Sequence, residues 1–75
     1  MKTLFSLNEG ETSEIIGFQT GLSQDYTVEL MDLGLIPGAR FTVLRKYGSL
    51  DKVVLKMGEN FITLRSGDTR EIEVL

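Results

Sequence analysis

The sequence predicts a mainly β domain in which five to six short strands roll into a small barrel with one short α-helix. Three observations predict it. Apolar and polar residues alternate over most of the chain, the period of a half-buried strand. Turn signals rich in glycine, eight of them in 75 residues, separate those runs. A single segment, with Tyr26, Leu30 and Leu33 at i, i+4 and i+7, has helical spacing instead. Rolling such a sheet buries its inner face and shortens its unpaired edges. The expected core is Leu4, Ile15, Leu30, Leu33, Phe41, Val43, Leu55, Leu64 and Ile72, each worth roughly 1.5–3 kcal/mol relative to exposure.

In chain order, Thr3 to Ser6 and Thr12 to Phe18 read as two strands around the turn Asn8-Glu9-Gly10. Ser23 is the natural N-cap of the helix, because its hydroxyl can accept from a first-turn amide that has no partner within the helix. Gly34 follows the last periodic residue, the position where helices commonly end in a left-handed residue. Pro37-Gly38 then predicts a type II turn, with proline fixing the first central φ and glycine supplying the positive second one. Beyond it Phe41, Val43 and Tyr47 share one face of a strand. Gly48-Ser49-Leu50-Asp51 forms a hairpin loop, and Val53, Leu55 and Met57 line the returning strand. Gly58-Glu59-Asn60 is a tight connection to a strand holding Phe61, Ile62 and Leu64. Ser66 to Thr69 reads as an irregular or 3₁₀ link before a last strand, Glu71 to Leu75.

No repeat, linker or low-complexity stretch divides the chain, so residues 1–75 are expected to form one domain. The absence of cysteine removes disulfides and thiolate metal sites and points to a reducing interior. Neither a signal-peptide pattern nor a bilayer-length apolar run is present, so the expected location is cytoplasmic, without membrane insertion. The net charge of −3 argues against nucleic acid as a partner. Charge is also polarised. Residues 1–39 carry six carboxylates against Lys2 alone, a net of −5, and residues 40–75 carry seven bases against five acids, a net of +2.

Catalysis is not expected. There is no histidine to serve as a base near neutral pH, no Gly-x-Ser-x-Gly elbow and no Gly-Lys-Ser/Thr phosphate loop. The candidate metal ligands are Asp25, Glu29 and Asp32, whose spacing lets three carboxylates project from one side of the helix, as hard cations favour. The ordinary reading of the trio is a solvated face. It nonetheless burdens the helix, since like charges at i, i+4 repel, Asp32 opposes the dipole, and no Lys or Arg lies between Gln24 and Leu33. Met31 and Met57 read as core filler. With Tyr26 and Tyr47 the only tyrosines and no tryptophan, a proline-rich peptide groove lacks its aromatic lining.

The segment Leu30-Met31-Asp32-Leu33-Gly34-Leu35-Ile36-Pro37-Gly38 resembles the FeoA family of small SH3-like proteins of bacterial ferrous iron uptake. Upstream, Leu4, Leu7, Gly10, Ile15 and Phe18 fit the family's opening pattern, and Ser23 with Tyr26 is similar to some freestanding members. Downstream, Phe61-Ile62-Thr63-Leu64-Arg65, then Asp68-Thr69 and Ile72-x-Val74, resemble its closing strands. The resemblance implies an SH3-like barrel and a cytosolic accessory protein. It would dock on the cytoplasmic portion of a membrane ferrous iron transporter that bears a GTP-binding domain, with no cofactor of its own. The residues implied for that contact are Leu35, Ile36 and Pro37 in the turn, with Tyr26 and Glu29 on the helix. The chain departs from the family in three places. Val28-Glu29 stands where basic residues often precede the helix leucine, Asp51-Lys52 replaces an Asp-Pro, and Thr69 replaces an alanine. Two other readings stay open: a regulatory domain acting with a metal-dependent repressor, and a weak carboxylate metal sensor. Open strand edges also raise the expectation of a homo-oligomer.

Overall fold

The computed structural model describes residues 1–75. Five strands form one antiparallel sheet: β1 (Thr12–Phe18), β2 (Arg40–Tyr47), β3 (Lys52–Met57), β4 (Asn60–Arg65) and β5 (Ile72–Val74). The one helix, α1 (Gln24–Asp32), lies between β1 and β2 in sequence, and short 3₁₀ turns occupy Leu4–Ser6, Gly48–Leu50 and Asp68–Glu71. The sheet order is β4-β3-β2-β1-β5. Because β4 and β5 do not pair with each other, the sheet is curled like an SH3 barrel but left open, and the 3₁₀ turn at Asp68–Glu71 bridges the gap. No helix is long and apolar enough to cross a membrane.

Thirteen buried apolar side chains make one core: Leu4, Leu7, Ile15, Leu30, Leu35, Phe41, Val43, Val53, Leu55, Ile62, Leu64, Ile72 and Val74. Eight of the nine expected core residues are among them. Leu33 is not, being 58% exposed. The cause is the way α1 ends. Leu33 is the C-cap, Gly34 takes φ 106°, the Gly34 amide donates to Met31 O and the Leu35 amide donates to Leu30 O. These bonds define a Schellman motif, in which the residue after the glycine packs back onto the last turn. Leu35 therefore fills the inner site that continued helical spacing would have given to Leu33.

Two other expectations are corrected. Thr3 to Ser6 is not a strand; only Thr3 bridges to Glu73, and the chain then tightens into a 3₁₀ turn closed by the Leu7 amide on Leu4 O at 3.1 Å. Leu4 and Leu7 stand three apart and are both buried, a spacing that suits three residues per turn and not alternation. Tyr47 leaves the inner face because the β2–β3 register shifts between Val43 and Arg45, with Leu44 the extra residue. The bulge sets Lys46 opposite buried Val53 instead. From there its Nζ donates to Phe5 O at 3.0 Å and Leu7 O at 2.9 Å, tying the N-terminal turn to β2.

Candidate functional site

The surface formed by α1 and the turn after it is built from local rules. Ser23 Oγ accepts from the Tyr26 amide at 3.1 Å, the N-cap bond that its position predicts. The Schellman motif stops the helix, and the type II turn follows at once, with Gly38 at φ 92° and the Ala39 amide donating to Ile36 O at 2.9 Å. Two further main-chain bonds clamp this turn to β1: Gly38 N–H to Ile15 O at 2.8 Å and Ile15 N–H to Ala39 O at 2.9 Å. The turn is a rigid corner whose apolar side chains face outward. Ile36 is 47% and Leu33 58% exposed, and Pro37 is exposed beside them. On the helix Val28 and Met31 are also exposed, so the segment presents apolar side chains together with the carboxylates of Asp25, Glu29 and Asp32.

Each expected site residue has a definite place. Glu29, Ile36 and Pro37 are at the surface. Leu35 is wholly buried, so its side chain has nothing to offer a partner, and its assignment to a contact is corrected by the Schellman geometry. Asp25, Glu29 and Asp32 are all exposed, and no three carboxylates gather where one metal ion could touch them. Tyr26 is half-buried in a cleft of about 400 Å³ that it shares with Leu22, Ser23, Arg65 and Asp68. Burial, followed by the neighbouring Asp68 carboxylate, pushes the Tyr26 hydroxyl above its ordinary pKa of 10.0. Sequence reasoning missed the outward turn of Leu33 and the meeting of Tyr26 with Arg65 and Asp68. The Leu33-Gly34-Leu35 triplet could have signalled the first; nothing local signals the second.

The FeoA domain pattern matches residues 2–75, and so spans the helix, the corner and all five strands. The chain belongs to the FeoA family. Membership implies a part in ferrous iron transport. Among solved structures, the chain is similar to the FeoA protein from Chlorobium tepidum, with 27% identity and a TM-score of 0.88, over 97% of this chain and 68% of that one. It is similar also to iron(II) transport protein A from Clostridium thermocellum, with 27% identity and a TM-score of 0.84, over 97% of this chain but only 44% of that one. A FeoA-like protein from Clostridium acetobutylicum shares the fold at 19% identity, with a TM-score of 0.79 over 100% of this chain and 88% of that one. No curated protein matches the sequence significantly.

Proposed function

We propose that this FeoA domain is a cytosolic accessory of ferrous iron uptake that acts by docking on the cytoplasmic, GTP-binding portion of a membrane ferrous iron transporter. The observation that supports it is the rigid corner after α1, where Leu33 and Ile36 are held at 58% and 47% exposure by hydrogen bonds that leave the side chains no inward alternative. Preformed apolar anchors lose little freedom on binding, which favours them as contact residues. Glu29 and Tyr26, on the adjoining helix, supply a charge and a hydroxyl at the margin of the same contact. Leu35 acts from beneath, as the packing that sets the corner's angle. With no histidine or cysteine to carry out chemistry, the shaped exterior is the working part.

Calorimetric titration of the transporter's GTP-binding portion into the domain tests this reading, alongside ferrous iron uptake in a deletion strain. Wild-type protein is expected to bind, and Ile36→Glu to bind at least about tenfold more weakly, since it places a charge in a contact that must lose its water. Absence of binding together with unchanged uptake in the deletion strain overturns it.

A further inference from the structure

The two edges of the sheet are treated differently. At β5 the chain's own N-terminus covers the outer side: Thr3 bridges Glu73, and the Val74 amide donates to Lys2 O at 3.0 Å. At β4 no strand pairs with the outer side, and α1 and the last 3₁₀ turn meet it at its Arg65 end, through the cleft that Arg65 shares with Tyr26 and Asp68. The β3–β4 ladder runs from Lys52↔Arg65 to Met57↔Asn60 without a bulge, and the Ser66 amide bonds to Asp51 O, which fixes the parity of the ladder. In an antiparallel ladder alternate residues bond to the neighbouring strand. Residues 60, 62, 64 and 66 therefore face β3, and the main-chain groups of Phe61, Thr63 and Arg65 point away from the sheet. None of the three joins any turn, loop or cap hydrogen bond. The usual protections of an edge are sparse too: β4 has one charged side chain, Arg65 at its end, and no lysine, no proline and no inward-pointing charge. Phe61 on it is 65% exposed.

We infer that β4 is the docking edge for a second copy of this chain, the two strands pairing antiparallel about a two-fold axis at Ile62. That axis makes the edge complementary to itself. Phe61 of each copy lies opposite Thr63 of the other, an aromatic and β-branched pair of the kind that stabilises sheets, with about four main-chain hydrogen bonds exchanged. Glu59 in the hairpin turn comes opposite Arg65 at both ends, so opposite charges meet twice. Other registers lose this match. An axis at Thr63 leaves Glu59 facing Gly67, and an axis at Phe61 leaves Arg65 facing Met57. Neither Glu59 nor Arg65 belongs to the corner after α1, so pairing through β4 leaves Leu33, Ile36 and Pro37 free, and the two surfaces approach each other only where Arg65 shares a cleft with Tyr26.

A six-residue edge makes a contact at the low end of interface size, so the dimer is expected to have a dissociation constant on the order of 100 µM. Analytical ultracentrifugation of the whole chain between dilute and millimolar concentration tests this. Wild-type protein is expected to move from monomer to dimer, with amide exchange of Phe61 and Thr63 slowing over the same range. Glu59→Lys or Arg65→Glu alone is expected to weaken the dimer several-fold, and the two together to restore it, because the swapped charges match again. Both positions are exposed, and circular dichroism of each variant verifies that it is folded. A monomer at millimolar concentration overturns the inference, as does a dimer indifferent to the single reversals or not recovered in the double variant. The readout needs no transporter, so its failure and that of the docking proposal are separable.

Discussion

The covered edge at β5 and the open edge at β4 differ in how tightly each is tied to the rest of the molecule. β5 has only three residues, yet Ile72 and Val74 are buried, and the segment covering it contributes Leu4 and Leu7 to the core. Lys46 reaches across from β2 to hold that segment by two carbonyls, and its ammonium and the Arg70 guanidinium flank the Phe5 ring at 5.4 and 4.2 Å. Uncovering β5 therefore means dismantling part of the interior. β4 has six residues, but the side chains on its outward side, Phe61, Thr63 and Arg65, are all exposed, and its meeting with α1 is confined to the Arg65 end. A domain of this size has few residues to spend on protection, and it has used its N-terminal segment to finish one edge while the other has no strand on its outer side.

The sharpest way to break this comparison is to cut a matched pair of side chains, one from each edge. Leu7→Ala removes a leucine only 2% exposed from the covering segment, and is expected to destabilise the domain by about 2–5 kcal/mol, the range for buried leucine truncations. Phe61→Ser, on the open edge, is expected to change monomer stability by no more than about 0.5 kcal/mol. Urea unfolding at dilute concentration measures both, and equal losses would erase the distinction. A milder change tests the tether itself. Lys46→Met keeps most of the aliphatic stem but leaves Phe5 O and Leu7 O without their donor, for an expected loss of about 1–2 kcal/mol. Hydrogen exchange should show the consequence locally: the Val74 amide, bonded to Lys2 O, exchanges faster, and the Ile62 and Leu64 amides keep pace with global stability alone.

The same two regions show what is legible in a sequence and what is not. The β3–β4 hairpin could be read directly, because Val53, Leu55, Ile62 and Leu64 alternate without interruption and the Gly58-Glu59 connection announces itself. The helix was readable at both ends, from Ser23 and Gly34. The N-terminal cover was not, since Thr3-Leu4-Phe5 has the composition of a strand, and only the sheet edge it must fit decides that it turns after Thr3. At the candidate site, Glu29, Ile36 and Pro37 stand at the surface as expected. The exchange of Leu33 for Leu35 was hidden because helical spacing was extended past Asp32 onto the cap itself, where the left-handed glycine that follows reverses which leucine points inward. Lys46 and Tyr47 traded places for a similar reason: a bulge at Leu44 leaves no mark in the alternation of residue types.

The seam where α1 meets the end of β4 supplies the smallest expected effect and the finest test of how closed that end of the sheet is. Tyr26 sits there with Arg65 of β4 and Asp68 of the last 3₁₀ turn, and its pKa is raised, first by burial and then by the Asp68 carboxylate. A raised pKa on an acid means that the folded state holds the proton more tightly than the unfolded chain does, so the neutral hydroxyl favours folding. That contribution is complete below the unfolded value of about 10 and is lost as pH rises through the higher folded value. Tyr26→Phe removes the ionisable group. The stability difference between wild type and variant is therefore expected to be constant from neutral pH to about pH 9 and then to shift against the wild type, all other alkaline titrations being common to both. The difference between their ultraviolet absorbance titrations isolates the Tyr26 phenolate and gives its midpoint independently. A midpoint at or below the ordinary value would mean that water reaches the hydroxyl freely, and that α1 does not seal the end of β4.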